Sequence, residues 1–326
     1  MPKIYVIHEN DAWTAPLRDA LAELQVPHEA WHLDRGFFDL AAVPPGGLFY
    51  NRVSPSSHTR GHRFAPEYTA ATLAWLEAHG RRVVNGSGPF RLELSKAAQY
   101  AALARSGIAV PRTLPAVGRA EIATAARRLE APFITKHNRA GKGLGVHLFR
   151  SVAALEDYLD GGGFEDSVDG VTLIQRYIEA PAPFITRVEF IGQRFFYAVK
   201  VNTSEGFELC PADACQVGDS LCPTNDNGHS IADRAGGPKF QILPHFESPL
   251  IERYERFMRT HGIEIAGFEF IADAGGDVFT YDVNMNTNYN ADAEAVAGRH
   301  GMKALAQFLA SEFAKCCDGV AESAAA

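Results

Sequence analysis

The stretch from Phe133 to Val146, FITKHNRAGKGLGV, limits the fold more than any other part of the chain. An apolar run reaches Lys136, a loop carries Gly141, Gly143 and Gly145, and a second apolar run extends from Val146 to Phe149. Ile134 and Val146 are β-branched, so a strand is expected on each side of the loop. Glycines let backbone amides approach an anion closely and lysine brings charge, which is the chemistry of a phosphate cradle. The stretch is not a Walker loop, because no Ser or Thr follows Gly141-Lys142 and Lys136 stands where the first glycine belongs. Nor is it a dinucleotide fingerprint, since the glycine spacing differs and a strand, not a helix, follows. Two readings of a strand, glycine loop, strand hairpin remain: a cover over a nucleotide, or a plain mobile hairpin.

Upstream, strand and helix patterns alternate. IYVI at residues 4 to 7 reads as a buried strand, Thr14 opens a helix with Leu17, Leu21 and Leu24 on one face, and Leu48 to Tyr50 is again strand-like. A helix from Pro66 to Ala78 and a strand from Arg82 to Asn85 follow, so a small parallel α/β unit ending near residue 94 is expected. Between its elements NRVSPSSHTRGHR gathers Arg52, Arg60 and Arg63 with two histidines. That segment is either a solvated loop or a carboxylate-binding loop at the strand ends, where open α/β sheets place ligands.

At 326 residues and 46% hydrophobic content the chain can build two or three units with cores of their own. A net charge of −8 without a long basic run argues against nucleic acid or an anionic membrane as partner. No apolar signal region opens the sequence and no run of eighteen apolar residues occurs, so a cytoplasmic enzyme is expected. The cysteines number five, which suits reduced thiols. Cys210, Cys215 and Cys222, with His229 and His245, lack the short paired spacing of a zinc knuckle, and an ordered loop with packed thiols is expected there.

Ser95 caps the helix SKAAQYAALARSG, whose second residue is Lys96, and Gly107 stops it. VTLIQRYIEA at 171 to 180 is a strand whose end could hydrogen-bond a flat base through its backbone. Thr186 to Ile191 and Arg194 to Val201, joined by Gly192-Gln193, form a hairpin that carries Arg187, Glu189 and Lys200. In GFEFIADAGGDVFTYDVNMNTNYN two strands flank Gly275-Gly276, and Asp282 and Asn284, two apart, share a face. Acids in apolar strands are costly to bury without compensating charge. Either Glu269, Asp282 and Asn284 hold a hard divalent ion such as magnesium, or they lie on the wet face of a half-exposed sheet.

Lys96, Lys136, AGKGLGV, IQRYI, Arg187, Glu269 and the DVN at 282 to 284 occur in the order seen in the ATP-grasp superfamily. YNRVSP, WLEAHGRRVVNG and LSKAAQYAALARSGIAVPRT extend the likeness, so that about residues 48 to 290 resemble the ribosomal-protein glutamate ligase and glutathione synthetase branch. The resemblance implies an α/β and α+β chain: a Rossmann-like substrate domain at 1–94, then ATP-grasp lobes at 95–174 and 175–326 with ATP between their sheets. It implies that Lys96, Lys136 and the loop of Gly141, Lys142, Gly143 and Gly145 bind phosphates, and that Gln175, Arg176, Tyr177 and Ile178 hold adenine. By the same resemblance Glu269, Asp282 and Asn284 would carry two magnesium ions, with manganese an alternative, and Arg187 would steady the phosphoryl group in transfer. Arg52, Lys200 and Asn286 are candidate substrate contacts. The activity implied is amide formation between a small carboxylate and an amine, an amino acid or short peptide, through an acyl phosphate; a kinase and a non-catalytic nucleotide-binding module are the alternatives. Ile185 stands where relatives carry an acid for the ribose, which makes Glu179 the candidate for that contact, and MNTNYN replaces the usual residues after the metal asparagine.

Overall fold

A computed structural model describes residues 1–141, 143, 145–204 and 238–325, with side chains through Cys317. The N-terminal unit comprises β1 (Lys3–His8), α1 (Asp11–Glu23), β2 (His28–His32), β3 (Gly47–Asn51), α2 (Ala65–Ala78), β4 (Arg82–Val84) and α3 (Ser87–Glu93). Its strands form one parallel sheet in the order β2-β1-β3-β4. The period of two sends Ile4 and Val6 to one face, with Leu17 and Leu21 of α1, and Tyr5 and Ile7 to the other, with Leu73 and Leu76 of α2. Asn10, not Thr14, caps α1: its Oδ1 accepts from Trp13 N at 3.1 Å, and Thr14 instead donates its hydroxyl to the Asn10 carbonyl. A short 3-10 turn at Ser57–Arg60 interrupts the arginine-rich loop.

The second unit runs α4 (Lys96–Arg105), β5 (Thr113–Ala116), α5 (Arg119–Ala126), β6 (Phe133–His137), β7 (His147–Phe149), α6 (Val152–Asp160) and β8 (Thr172–Arg176). Its antiparallel sheet has the order β5-β8-β6-β7. Phe133 and Ile174 pack under α5 and α6 with Ile122 and Leu155, while Ile134, Lys136 and Gln175 face away from them into a cleft.

The third unit holds β9 (Phe184–Ile191), β10 (Arg194–Asn202), β11 (Phe240–Leu243), α7 (Pro249–His261), β12 (Ile265–Ala272), β13 (Val278–Asn284), α8 (Ala291–Ala297) and α9 (Gly301–Ala325). The antiparallel order is β11-β10-β9-β12-β13. One face buries Val188, Phe190, Phe268 and Val283 against Tyr254, Phe257 and Met258 of α7 and Leu103 of α4. The other carries Arg187, Glu189, Glu269, Asp282 and Asn284 into the same cleft. Leu305, Ala306 and Leu309 of α9 pack with Ile4, Leu48 and Val84, so this helix spans back to the N-terminal sheet.

Candidate active site

The cleft between the two antiparallel sheets has a volume of about 650 Å³. Four buried amides fix its walls. Asn85, at φ +52°, donates to the carbonyls of Ile265 (2.9 Å) and Met285 (3.2 Å) and accepts from Glu264 N (2.9 Å), which fastens the end of β4 to the start of β12. Gln99 of α4 treats Val283 as a neighbouring strand would, donating to its carbonyl at 2.8 Å and accepting from its amide at 3.1 Å. Asn138 accepts from Ala97 N at 2.8 Å and donates to Asp169 at 2.6 Å, joining the end of β6 to the start of α4. Gln175 donates to Thr113 Oγ1 at 2.8 Å. Lys96 and Lys136 are therefore set against β13 by hydrogen bonds rather than by loops alone.

Lys96 Nζ donates to Asp282 Oδ1 at 2.6 Å. Lys136 Nζ donates to Tyr100 Oη at 2.7 Å and approaches the Tyr281 carbonyl at 3.4 Å. The register of β12 and β13 slips between Glu269 and Phe270, which leaves Tyr281 as an extra residue and turns its carbonyl toward Tyr100 and Lys136. Burial pushes the Lys136 ammonium below the usual lysine range, against the pull of Asp282 and Glu269. A buried cation of that kind gains from any anion placed beside it.

Arg187 lies between two acids: Nε donates to Glu189 and Nη1 donates to Glu269 Oε1 at 2.9 Å. Asn284 Nδ2 reaches the same Glu269 oxygen at 3.3 Å. Glu269 faces Asp282 directly across the ladder and is 6% exposed, so these acids do not lie on a wet face; Arg187 and Lys96 supply their charge compensation. Burial and the Asp282 charge push Glu269 up against Arg187. Burial raises Asp282 too, but Lys96, Lys136 and Arg187 outweigh it and hold its carboxyl below the usual range. The guanidinium packs against Gly267, where an added Cβ would stand 2.5 Å from Nη2 and 2.8 Å from Cζ.

The loop carries the expected hairpin: β6 and β7 pair antiparallel, Phe133 with Phe149 and Thr135 with His147. Gly143 and Gly145 take φ of +74° and +72°, and a Cβ on Gly145 would meet the His137 ring at 2.8 Å. Gly141 and Gly143 line the cleft. The loop's stem is anchored, because buried Arg139 donates to both oxygens of Glu67 in α2 at 2.7 and 3.2 Å. Lys142 lies outside the described residues, as do Cys210, Cys215, Cys222 and His229. Past β8 the chain leaves the sheet, and Gln175, Arg176, Tyr177, Ile178 and Glu179 all border the cleft. Ile185 borders it as well, packed with Val199 and Val201 in an apolar wall.

Not every expected residue comes together. Lys200 points away from the cleft: Val199 and Val201 line it, and period two puts Lys200 Nζ on the other side, 4.1 Å from the centre of the Phe184 ring. The three loop arginines do not converge. Arg60 donates to both oxygens of Glu9 (2.7 and 3.2 Å) and, more weakly, to Ser56 Oγ at the cleft rim (3.4 Å), Arg63 donates to the Val168 carbonyl (2.7 Å), and Arg52 donates to the cleft residue Asn288 at Oδ1 (2.6 Å). Arg52 is 2% exposed and, among the described residues, its Nη1 has no hydrogen-bond partner; buried Glu189 Oε2, Asn286 Oδ1 and Tyr289 Oη share that state. Glu93 was not marked by sequence. It is buried at the cleft wall, accepts from Met285 N at 2.6 Å, and burial pushes its pKa up to about 7. Gly267 was not marked either; its one signal is a glycine inside an otherwise apolar strand.

No protein-family model matches the sequence, and no curated protein sequence does. Solved structures match in fold. One is the ATP-grasp ligase PsnB complexed with minimal precursor, at 16% identity and TM-score 0.64 over 95% of this chain and 99% of that one. A RimK domain protein ATP-grasp from Sphaerobacter thermophilus DSM 20745 gives 18%, 0.60, 94% and 99%, and the D-cycloserine synthetase DcsG gives 16%, 0.60, 95% and 99%. The chain, with two antiparallel sheets facing one cleft and a glycine hairpin beside it, thus has an ATP-grasp fold.

Proposed function

We propose that the protein is an ATP-dependent carboxylate–amine ligase that forms an amide through an acyl phosphate. One observation carries this reading: three cations, Lys96, Lys136 and Arg187, and three oxygen donors, Glu269, Asp282 and Asn284, face a single cleft in an ATP-grasp fold. PsnB, which shares the fold, has a structure with Mg and ADP. The donor set suits magnesium, a hard ion that takes carboxylate and amide oxygens together with phosphates. Bound there, as two ions in the family's manner, it neutralises charge on the triphosphate.

The chain's own groups do the rest. Lys136 and Lys96 hold phosphate oxygens, the glycine hairpin covers them, and residues 175 to 178 pack the base against the Ile185 wall, with Glu179 left to reach the ribose. A carboxylate oxygen of the substrate attacks the terminal phosphorus and ADP departs. Arg187, held by Glu189 and Glu269, meets the charge spreading over the phosphoryl oxygens. The amine then attacks the acyl carbon and expels phosphate, so no protein nucleophile is required. Arg52 and Asn286, each with a buried polar atom that has no partner among the described residues, are the proposed contacts for a small amino-acid or peptide substrate. PsnB is seen with a minimal precursor and DcsG is named a D-cycloserine synthetase, which supports screening both peptides and amino acids. Screening amino acids and short peptides for amine-dependent ADP release, with mass spectrometry of the products, tests the proposal; ADP release without any amine, with a phosphorylated product, favours a kinase.

A further inference from the structure

A second group of chemistry-bearing side chains lies outside the cleft, at the C-terminal ends of β1 and β2. His8 closes β1, His32 closes β2, and Asp11 opens α1 between them. Their ligand atoms all fall within 4.8 Å of one another. His8 Nε2 and His32 Nε2 each stand 3.9 Å from an Asp11 oxygen, one on Oδ1 and the other on Oδ2. The two rings meet edge to face at 5.1 Å.

His8 is the informative member. It is 1% exposed, yet among the described residues no group, the nearby Asn10 backbone included, is in hydrogen-bond geometry with either ring nitrogen. Buried polar groups are normally paired, and an imidazole placed for packing alone leaves two desolvated nitrogens that an apolar side chain would not. The second ring is oriented. Asp34 Oδ1 takes His32 Nδ1 at 3.0 Å, which puts the proton on that nitrogen and leaves the Nε2 lone pair directed at Asp11 and His8. A carboxylate behind a histidine is the usual outer partner of a metal-binding imidazole, because it fixes tautomer and ring angle. Asp34 is itself backed by His62, whose Nε2 lies 3.9 Å from Asp34 Oδ2 and whose Nδ1 is held by buried Glu9 at 3.1 Å.

We propose that His8, His32 and Asp11 bind one divalent transition-metal ion, zinc being the natural probe. Two imidazoles and a carboxylate suit zinc or ferrous iron rather than magnesium, which separates this site chemically from the all-oxygen set at Glu269, Asp282 and Asn284. A tetrahedral ion with ligands at about 2.0–2.1 Å holds ligand atoms roughly 3.3 Å apart, so atoms that now lie within 4.8 Å of one another draw together by up to about 1.5 Å, and by about 0.6 Å at the two Asp11 contacts of 3.9 Å. Asp11 is 75% exposed and can make that movement. Its exposure also gives the ion a way in and leaves one coordination position for water or an anionic ligand. An ion there ties β1, α1 and β2 together. The inference does not rest on the ligase reading.

The full-length protein is stripped with chelator, dialysed against one to two equivalents of zinc and analysed for bound metal, with titration calorimetry for affinity and cobalt(II) absorption for ligand geometry. One ion per chain is expected, with a visible cobalt spectrum. Binding weakens about a hundredfold or more in His32→Ala, and about tenfold in Asp34→Asn, which removes only the orienting carboxylate. His32 is partly exposed, so its replacement leaves the fold intact; circular dichroism and thermal melting confirm it. Absence of stoichiometric binding overturns the proposal. So does wild-type affinity in both His32→Ala and Asp11→Ala, or zinc that is lost only when Cys210, Cys215 and Cys222 are replaced by serine.

Discussion

Gly267→Ala is a one-methyl perturbation whose consequences are specified by the structure. Gly267 sits mid-strand in β12 and is not among the positive-φ glycines, so the backbone accepts alanine. The new Cβ stands 2.5 Å from Arg187 Nη2, where ordinary contact begins at 3.4 Å. Relief therefore requires the guanidinium to move by about 0.9 Å. It is held by hydrogen bonds to Glu189 and Glu269, which such a movement strains. Overpacking of this kind costs about 1–3 kcal/mol in stability. A displacement near 1 Å at a phosphoryl-stabilising group costs on the order of a hundredfold in turnover, about 2.7 kcal/mol. ATP affinity, which depends on Lys96, Lys136 and the hairpin, is expected to change less than threefold. Amine-dependent ADP release gives the rate and calorimetry gives the affinity. The decisive comparison is a cycle with Arg187→Ala: once the guanidinium is gone, the added methyl has nothing to displace and should cost little more. A wild-type rate in Gly267→Ala, or a full hundredfold loss that persists in the Arg187→Ala background, refutes the link between Gly267 and Arg187.

Other predictions follow from the same geometry. Arg187→Lys should lose nearly as much turnover as Arg187→Ala, since an ammonium cannot bond both acids and still face the phosphoryl oxygens; near-normal turnover in either variant removes Arg187 from the mechanism. Saturating ATP with magnesium should raise the melting temperature by about 2–4 °C, and Lys136→Ala should abolish most of that rise. The variant should still fold, because Tyr100 keeps its 2.7 Å bond to the Tyr281 carbonyl and Lys96 keeps Asp282; unchanged ATP affinity would count against the phosphate role. Hydrogen exchange from Ala140 to Gly145 should slow when ATP binds, whereas the stem at Arg139, anchored to Glu67, should change less; equal protection with and without ATP argues against a closing hairpin. Glu93 keeps its proton in the fold up to about pH 7 while the unfolded chain releases it near 4.5. Its contribution to stability therefore declines as pH rises between those values, by on the order of 3 kcal/mol. Glu93→Gln, which retains an acceptor for the Met285 amide, should flatten that decline in urea titrations across pH, and an unchanged profile would refute it.

The parts legible in the sequence are those written in local pattern. Gly192-Gln193 and Gly275-Gly276 announced the two hairpins that carry Arg187, Glu269 and Asp282, and the glycine loop announced β6 and β7. What sequence could not give depends on partners distant in the chain. Gln99 looks like any helical glutamine until Val283 lies beside it, and Asn85 like the end of a strand until β12 arrives. The arginines of residues 51 to 63 look alike in composition, but Glu9, Val168 and Asn288 draw them in three directions. Lys200 was misplaced because a hairpin fixes which residues alternate, not which face meets the cleft. The acids were expected to need an ion or water, and sequence did not show that Arg187 and Lys96 would neutralise them from neighbouring elements. His8 and His32 meet only because β1 and β2 pair in register.

Ligase chemistry through an acyl phosphate is tested most directly by isotope transfer. A screened carboxylate substrate labelled with ¹⁸O in both oxygens is turned over with ATP, magnesium and its amine partner, and the released phosphate and the product are weighed by mass spectrometry. One ¹⁸O should appear in each phosphate, matched by an amide that has lost one labelled oxygen and by ADP in equal amount. Unlabelled phosphate, or ADP formed with a phosphorylated substrate and no amide, would contradict the proposed function.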